Sequence, residues 1–156
     1  MYKFSQKKSL GQHFLKNKEV LDKISKLENL ANKLILEIGP GKGALTKILL
    51  KQNPKKIIAV EKDKELDFIL KKIQNEYPEK LEVIFQDALK FDLDKINSNK
   101  INLVANLPYN IATTLIIKWL SFVKKFESII VMVQREVADR LVAEVSNKHY
   151  GRTSIL

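Results

Sequence analysis

The sequence predicts an α/β fold built on a mostly parallel sheet with flanking helices. Five short apolar runs alternate with stretches in which apolar residues recur at helical spacing. Glycine-rich or polar groups follow several of these runs directly, as is expected where parallel strands end at one edge of a sheet. Strands that alternate with helices in this way imply right-handed βαβ units.

The first part of the chain predicts an arm, a helix and the first strand. Residues 1–18 are basic and show no clean period, so we expect an N-terminal arm that precedes a single domain over residues 19–156. A helix over residues 19–30 follows. Residues 34–38 are apolar and end in a glycine-rich turn, which predicts a strand, and the spacing over residues 44–50 predicts the next helix.

The middle of the chain repeats this alternation. Residues 57–60 predict a second strand that closes on Glu61. Asp63 can cap the following helix, in which apolar residues recur at helical spacing as far as Ile73. Residues 81–85 alternate in polarity, which predicts a third strand that leads into the loop with Asp87.

The last third predicts two more strands and two more helices. Residues 101–105 and 128–133 read as strands, and residues 112–122 and 135–145 as helices, the second of them amphipathic. Residues 151–156 predict a turn into another strand. A strand that begins in the last four residues cannot complete a sheet, so we expect a domain that is incomplete at its C-terminus.

The composition excludes several classes of protein. Of the 156 residues, 45% are hydrophobic and 29% charged, as in ordinary soluble globular domains. The absence of cysteine excludes disulfides and thiolate metal sites, and two histidines alone argue against zinc, so we expect no metal. No apolar run approaches the roughly 18 residues of a membrane span, and no secretory signal is visible. We therefore expect a cytoplasmic protein without a membrane partner.

The net charge of +10 favours a polyanionic partner such as nucleic acid. Lysine supplies most of the positive charge, and asparagine and isoleucine are also frequent. The same bias is typical of an AT-rich genome. The charge alone therefore leaves nucleic-acid binding and a purely compositional origin equally open.

The turn Gly39-x-Gly41-x-x-Ala44, with Glu61 at the end of the next strand, is a nucleotide-binding pattern. The glycines let the backbone approach a ligand, and the acid can bind two ribose hydroxyls. The pattern alone fits a dinucleotide, S-adenosylmethionine or a merely structural turn. Asp87 can accept from an adenine amino group, although alone it is as well explained as a loop acid or helix cap. Together these residues favour one adenosine-shaped ligand.

The group Asn106-Leu107-Pro108-Tyr109 follows the fourth strand and suits a flat base with an exocyclic amino group. The Asn106 side-chain oxygen and the backbone carbonyl of Leu107 or Pro108 can accept the two amino hydrogens. Tyr109 can stack on the base. An isolated Asn-x-Pro would instead favour a β-turn with a core tyrosine. The group contains no strong base.

Seven motifs run in order along the chain from about residue 8 to its end. They are Ser9-Leu10-Gly11-Gln12-His13-Phe14-Leu15, Glu37-Ile38-Gly39-Pro40-Gly41, Val60-Glu61, Gln86-Asp87-Ala88, Asn106-Leu107-Pro108-Tyr109-Asn110-Ile111, Val133-Gln134-Arg135-Glu136-Val137-Ala138 and Tyr150-Gly151-Arg152. With this ordered set the chain resembles the small-subunit ribosomal RNA adenine dimethyltransferases, which modify two adjacent adenosines.

The resemblance implies a Rossmann-like class I methyltransferase fold with S-adenosyl-L-methionine as cofactor. The implied cofactor-binding residues are Gln12, His13, Leu15, Gly39, Gly41, Glu61, Asp87, Ala88 and Asn106. The implied catalytic residues are Asn106, Leu107, Pro108 and Tyr109. We expect the arm to close over the cofactor, and the expected RNA-binding residues are Lys3, Lys7, Lys8 and Tyr109. His13 stands where many relatives have Asn, and Thr114 where many have Pro.

The resemblance also implies small-subunit ribosomal RNA, or the pre-ribosomal small subunit, as partner of a monomeric enzyme. It implies further strands and a small helical domain that this chain does not reach. Three alternatives stay open: a large-subunit methylase that confers antibiotic resistance, a nucleic-acid-binding factor of the same fold without activity, and an oxidoreductase. The resistance methylases tend to have Ile in place of Leu107, and an oxidoreductase would explain the glycine loop alone.

Overall fold

The computed structural model describes residues 17–151 and residue 154. Within these residues five strands form one parallel sheet flanked by five α-helices. The strands are β1 (Leu34–Ile38), β2 (Lys56–Glu61), β3 (Leu81–Phe85), β4 (Ile101–Asn106) and β5 (Phe126–Met132). The helices are α1 (Lys18–Lys26), α2 (Ala44–Lys51), α3 (Asp67–Glu76), α4 (Tyr109–Leu120) and α5 (Arg135–Leu141). None of these described helices has the length and apolar character that crossing a bilayer requires.

The strand order is β3-β2-β1-β4-β5, so β1 lies at the centre of the sheet. The chain moves outward from β1 through β2 to β3 and then returns to place β4 on the other side of β1. Ile38 accordingly pairs with Val60 on one side and with Ala105 on the other. This reversal opens a crevice beyond the carboxyl ends of β1 and β4, where ligands bind in open α/β sheets.

The two faces of the sheet pack into two apolar clusters. Because successive side chains of a strand point to opposite faces, the neighbours Ile35 and Leu36 of β1 belong to different clusters. Leu36 shares its cluster with Trp119 of α4 and Val137 of α5, whereas Ile35 shares its cluster with Leu49 of α2. Helices therefore cover both faces, and the predicted α/β architecture is confirmed.

The first helix is shorter than predicted. The predicted helix covers residues 19–30, but α1 ends at Lys26. The chain turns there because Leu30 is drawn into the core, while Leu27 stays 66% exposed. The side chain of Asn17 accepts hydrogen bonds from the first turn and so caps the helix. The rest of the predicted arm lies outside the described residues.

The last helix is also shorter than predicted. The predicted helix covers residues 135–145, whereas α5 ends at Leu141. Val142 and Val145, which extended the apolar pattern in the sequence, are both exposed, so this pattern does not correspond to a packed face. The predicted turn and strand over residues 151–156 lie mostly outside the described residues.

Candidate active site

Neighbouring strands bring the predicted site residues to one edge of the sheet. Gly39 follows β1, Glu61 ends β2, Asp87 follows β3 and Asn106 ends β4. The Gly39 N–H donates to the Val60 carbonyl at 2.9 Å, which ties the ends of β1 and β2 together. A Cβ atom on Gly39 would lie 3.8 Å from the Asn106 carbonyl oxygen. The glycine loop and the Asn106 motif are therefore direct neighbours.

The glycine loop has a backbone that other residues rarely adopt. The φ angles of Gly39, Gly41 and Gly43 are 71°, 58° and 77°, all in the left-handed region. The Gly43 N–H donates to the Pro40 carbonyl at 2.9 Å, which closes the turn before α2. A Cβ atom on Gly43 would also collide with the Ile73 side chain of α3. Three of the five loop residues thus present backbone without a side chain, and the approach of a ligand to this backbone stays a prediction.

Glu61 joins the loops that follow β1 and β2. One carboxylate oxygen accepts from the Gly41 N–H at 3.0 Å, and the other from the N–H groups of Lys62 and Asp63 at 2.9 and 2.8 Å. The side chain is only 7% exposed. Burial raises the pKa of Glu61, and the three N–H groups oppose this rise in part. A carboxylate has about four acceptor positions, so the oxygen facing Gly41 has room for a ligand hydroxyl.

Asp87 is an ionised acceptor at the end of β3. One carboxylate oxygen accepts from the Leu89 N–H at 3.0 Å, and the other lies 2.8 Å from the Lys62 ammonium group. The hydrogen bond with Lys62 is the main reason why the pKa of Asp87 is lowered. Asp87 therefore both closes its own loop, as the structural alternative predicted, and presents negative charge to the site. Ala88, beside it, packs against the core.

Asn106 and Leu107 occupy the end of β4 in different ways. Asn106 is half-buried and pairs with Met132 of β5. Leu107 donates its N–H to the Met132 carbonyl at 3.0 Å and buries its side chain in the core. Any catalytic contribution of Leu107 must therefore come from its backbone carbonyl.

Pro108 and Tyr109 begin α4 earlier than predicted. The predicted helix covers residues 112–122, but the Pro108 carbonyl accepts from the N–H groups of Ile111 and Ala112 at 3.2 and 3.1 Å, so α4 begins at Tyr109. Proline suits this position because its φ is already helical and it has no N–H to satisfy. Tyr109 is 51% exposed, which contradicts the alternative of a core tyrosine.

A buried acid beside the loop was not assigned a role from the sequence. Glu37 is 1% exposed, and among the described residues neither of its carboxylate oxygens makes a hydrogen bond. Burial raises its pKa to about 8; the charge of Glu61 adds to the rise, while the nearby Thr46 opposes it without completing a hydrogen bond of regular geometry. The raised pKa favours the protonated form of Glu37 at neutral pH. Its signal in the sequence is a single charge inside the apolar strand β1.

The remaining predicted site residues cannot be placed. They are Gln12, His13 and Leu15, expected at the cofactor, and Lys3, Lys7 and Lys8, expected at RNA, and all of them lie outside the described residues.

Comparison with known proteins decides the family. A family model described as ribosomal RNA adenine dimethylase matches residues 3–156. The chain belongs to the ribosomal RNA adenine dimethylase family. It is 46% identical over 156 residues to the ribosomal RNA small subunit methyltransferase A of Ehrlichia ruminantium (strain Gardel). The match covers 99% of this chain and 60% of that protein. The chain therefore spans about three fifths of the length of this relative.

Solved structures of related proteins have the same fold. A dimethyladenosine transferase from Plasmodium falciparum matches with a TM-score of 0.75 and 33% identity, over 92% of this chain and 51% of that one. The 23S rRNA methyltransferase ErmE matches with a TM-score of 0.68 and 25% identity, over 82% of this chain and 50% of that one. The class I methyltransferase fold is thereby confirmed. S-adenosylmethionine is the methyl donor of this dimethylase family.

Proposed function

We propose that this chain is the cofactor-binding part of an S-adenosylmethionine-dependent methyltransferase that dimethylates the N6 amino groups of two adjacent adenosines in small-subunit ribosomal RNA. The observation that carries the proposal is the contact between the glycine loop and the Asn106 motif across β1 and β4. This contact supports the proposal because it brings the loop and the motif into one crevice, at the distance of neighbouring strands, which is about 5 Å.

The described residues fit the proposed cofactor. The three glycines of the loop from Gly39 to Gly43 offer backbone without side chains for the methionine portion. Glu61 and Asp87 follow at successive strand ends, where carboxylates can accept from ribose hydroxyls and from the adenine amino group. Lys62 holds the Asp87 carboxylate, and its long side chain is exposed enough to move aside when adenine binds. When bound, the cofactor supplies a methyl group on a positively charged sulfur.

The Asn106 motif orients a weak nucleophile. The lone pair of the adenine amino nitrogen is delocalised into the ring, so the enzyme must hold this nitrogen in a pyramidal form that faces the methyl group. The Asn106 side-chain oxygen and a backbone carbonyl can accept its two hydrogens. The Pro108 carbonyl already accepts two helical hydrogen bonds, so we assign this role to the carbonyl of Leu107.

Positioning is the main contribution of the protein to the reaction. Orientation of two reactants can lower a barrier by about 7–11 kcal/mol. Extrusion of the base from RNA costs a few kcal/mol, and stacking on Tyr109 recovers roughly 1–3 kcal/mol of it. The exposure of Tyr109 at the start of α4 fits this task. Methyl transfer would leave the amino nitrogen acidic, so its proton would pass to water without a protein base.

Small-subunit RNA is the favoured substrate among the alternatives. Relatives named ribosomal RNA small subunit methyltransferase A are up to 46% identical to this chain, whereas ErmE, a 23S rRNA methyltransferase, is 25% identical. A binding factor without activity is disfavoured because Glu61, Asp87 and the Asn106 motif are all present. We further propose that the protein acts as a cytoplasmic monomer, and that the arm with Lys3 contributes to RNA binding.

The test is Asn106→Ala in the complete protein. We expect methyl transfer to undermethylated small subunits to be abolished, while calorimetric affinity for S-adenosylmethionine stays within a few-fold. Asn75→Ala, an equal truncation at an exposed position of α3, serves as the control and should methylate normally. Normal turnover by Asn106→Ala would refute the assignment. Transfer to isolated large-subunit RNA in place of small subunits would instead favour the resistance methylase.

A further inference from the structure

Lys118 of α4 points its ammonium group into a ring of backbone carbonyls. Its Nζ atom donates to the carbonyls of Leu89 at 2.8 Å, Phe91 at 2.6 Å and Ala88 at 3.3 Å. A lysine ammonium group has three donors, and these carbonyls can take all three. A lysine at the surface of a helix usually extends its ammonium group into water. Because the Lys118 ammonium group turns toward these carbonyls instead, we infer that it has a structural role.

The three carbonyls belong to the loop that carries Asp87. Within this loop the Leu89 N–H donates to the Asp87 carboxylate at 3.0 Å, and the Lys90 N–H donates to the Asp87 carbonyl at 2.9 Å. These bonds set the shape of the loop but attach it to no other element. Lys118 attaches the loop to α4, which shares an apolar cluster with Leu89, and this attachment adds to the ion pair between Asp87 and Lys62.

Helix α4 connects the Asn106 motif with the loop that carries Asp87. Its first residue, Tyr109, is the last residue of the Asn106 motif, and Lys118 lies about two and a half turns further along. Any shift of the Asp87 loop relative to α4 would change the distance between the adenine of the cofactor and the base of the substrate. A rigid connection between them would keep that distance constant.

We propose that Lys118 is a positioning residue that fixes the Asp87 loop to α4 and thereby sets the adenine-binding geometry of the cofactor site. The proposal rests on the proposed role of Asp87 in binding the cofactor adenine. Lys118 does not itself touch cofactor or RNA, so its removal should act through Asp87.

The test uses Lys118→Met, which keeps most of the length of the side chain and removes its three donors. Lys125→Met is the matched control: the Lys125 ammonium group donates to the Leu93 carbonyl at 3.2 Å and pairs with Asp94 at 2.9 Å, further along the same connection. Urea unfolding of both variants measures their general effect on stability.

The first measurement needs no ligand. Amide hydrogen exchange of Leu89, Lys90 and Phe91 should become about tenfold faster in Lys118→Met, because the loop opens without its attachment. Exchange in the strands should not change, and Lys125→Met should leave the three amides as they are. Unchanged exchange at these amides would overturn the proposal even if the variant bound cofactor poorly.

The second measurement is a double-mutant cycle on the affinity for S-adenosylmethionine. We expect Lys118→Met to weaken binding about tenfold in the wild-type background and less than about twofold in an Asp87→Ala background. Equal losses in both backgrounds would reject the action through Asp87. If the wild-type chain bound no S-adenosylmethionine, the proposed function would fail, whereas the exchange measurement would still decide whether Lys118 holds the loop.

Discussion

The buried acid Glu37 predicts an unusual dependence of stability on pH. Its pKa is about 8 in the folded chain and 4.5 in the free side chain. Between these values the folded protein keeps a proton that the unfolded chain has lost, so the free energy of unfolding falls as the pH rises. One pKa unit corresponds to about 1.4 kcal/mol, and the total loss by pH 8 is about 5 kcal/mol. Domains have only about 5–15 kcal/mol of stability, so this effect is large.

Glu37→Gln isolates this effect, because an amide has nearly the shape of the protonated acid but does not titrate. Urea unfolding of both proteins between about pH 5 and about pH 8.5 gives the difference in their stabilities. We expect the two to be similar at the acidic end and the variant to gain about 1.4 kcal/mol per pH unit thereafter. Burial and the charge of Glu61 both favour this outcome.

The control is Glu82→Gln, the same chemical change at a partly exposed glutamate of β3 that pairs with Lys56. When Glu82→Gln is added to both wild type and Glu37→Gln, the difference between their free energies of unfolding should stay the same at each pH. Parallel stability curves for wild type and Glu37→Gln across the whole range would refute the reasoning. They would mean that Glu37 is ionised in the folded protein or reaches water that lowers its pKa.

Three other predictions test the loop, the cofactor acid and the stacking residue. Gly43→Ala should lower the free energy of unfolding in urea by roughly 1–3 kcal/mol, because its φ is 77° and the new methyl group meets Ile73. Gly151→Ala has open space around its new methyl group and should be tolerated, so equal effects of the two changes would contradict the strain at Gly43. Glu61→Ala should weaken calorimetric S-adenosylmethionine binding about tenfold or more, and an unchanged affinity would reject its role. Tyr109→Ala should weaken RNA binding by roughly 1–3 kcal/mol in a filter assay while Tyr109→Phe does not; equal losses would exclude stacking.

The sequence predicts the sheet well because its signals are local. Residues 34–38 and 81–85 are strands with the bounds predicted, since the first run is largely apolar, the second alternates in polarity, and both are bounded by turn residues. The ends of helices depend on tertiary packing. The apolar spacing at Leu30 is compatible with a longer helix, but burial of this side chain against the sheet ends α1 earlier.

The placement of the candidate site residues was predictable where a short motif follows a strand. Gly39, Glu61, Asp87 and Asn106 follow strands, so the parallel topology brings them to one edge without further information. Contacts between residues far apart in the chain left no such signal. In the sequence, Lys118 is one more lysine in a lysine-rich chain. Only the structure shows that it binds the carbonyl of Leu89, which lies 29 residues earlier in the chain.

The central position of β1 has a consequence for biosynthesis. The β3-β2-β1 half of the sheet can form as soon as its residues leave the ribosome, but β4, the other neighbour of β1, is made about 70 residues after β1. At ordinary elongation rates of about 5–20 residues per second, the nascent chain therefore exposes an open apolar strand edge for several seconds. Gly39 has no Asn106 beside it until that edge closes. The crevice comes into existence late and all at once, and this interval is when the chain is most vulnerable to aggregation.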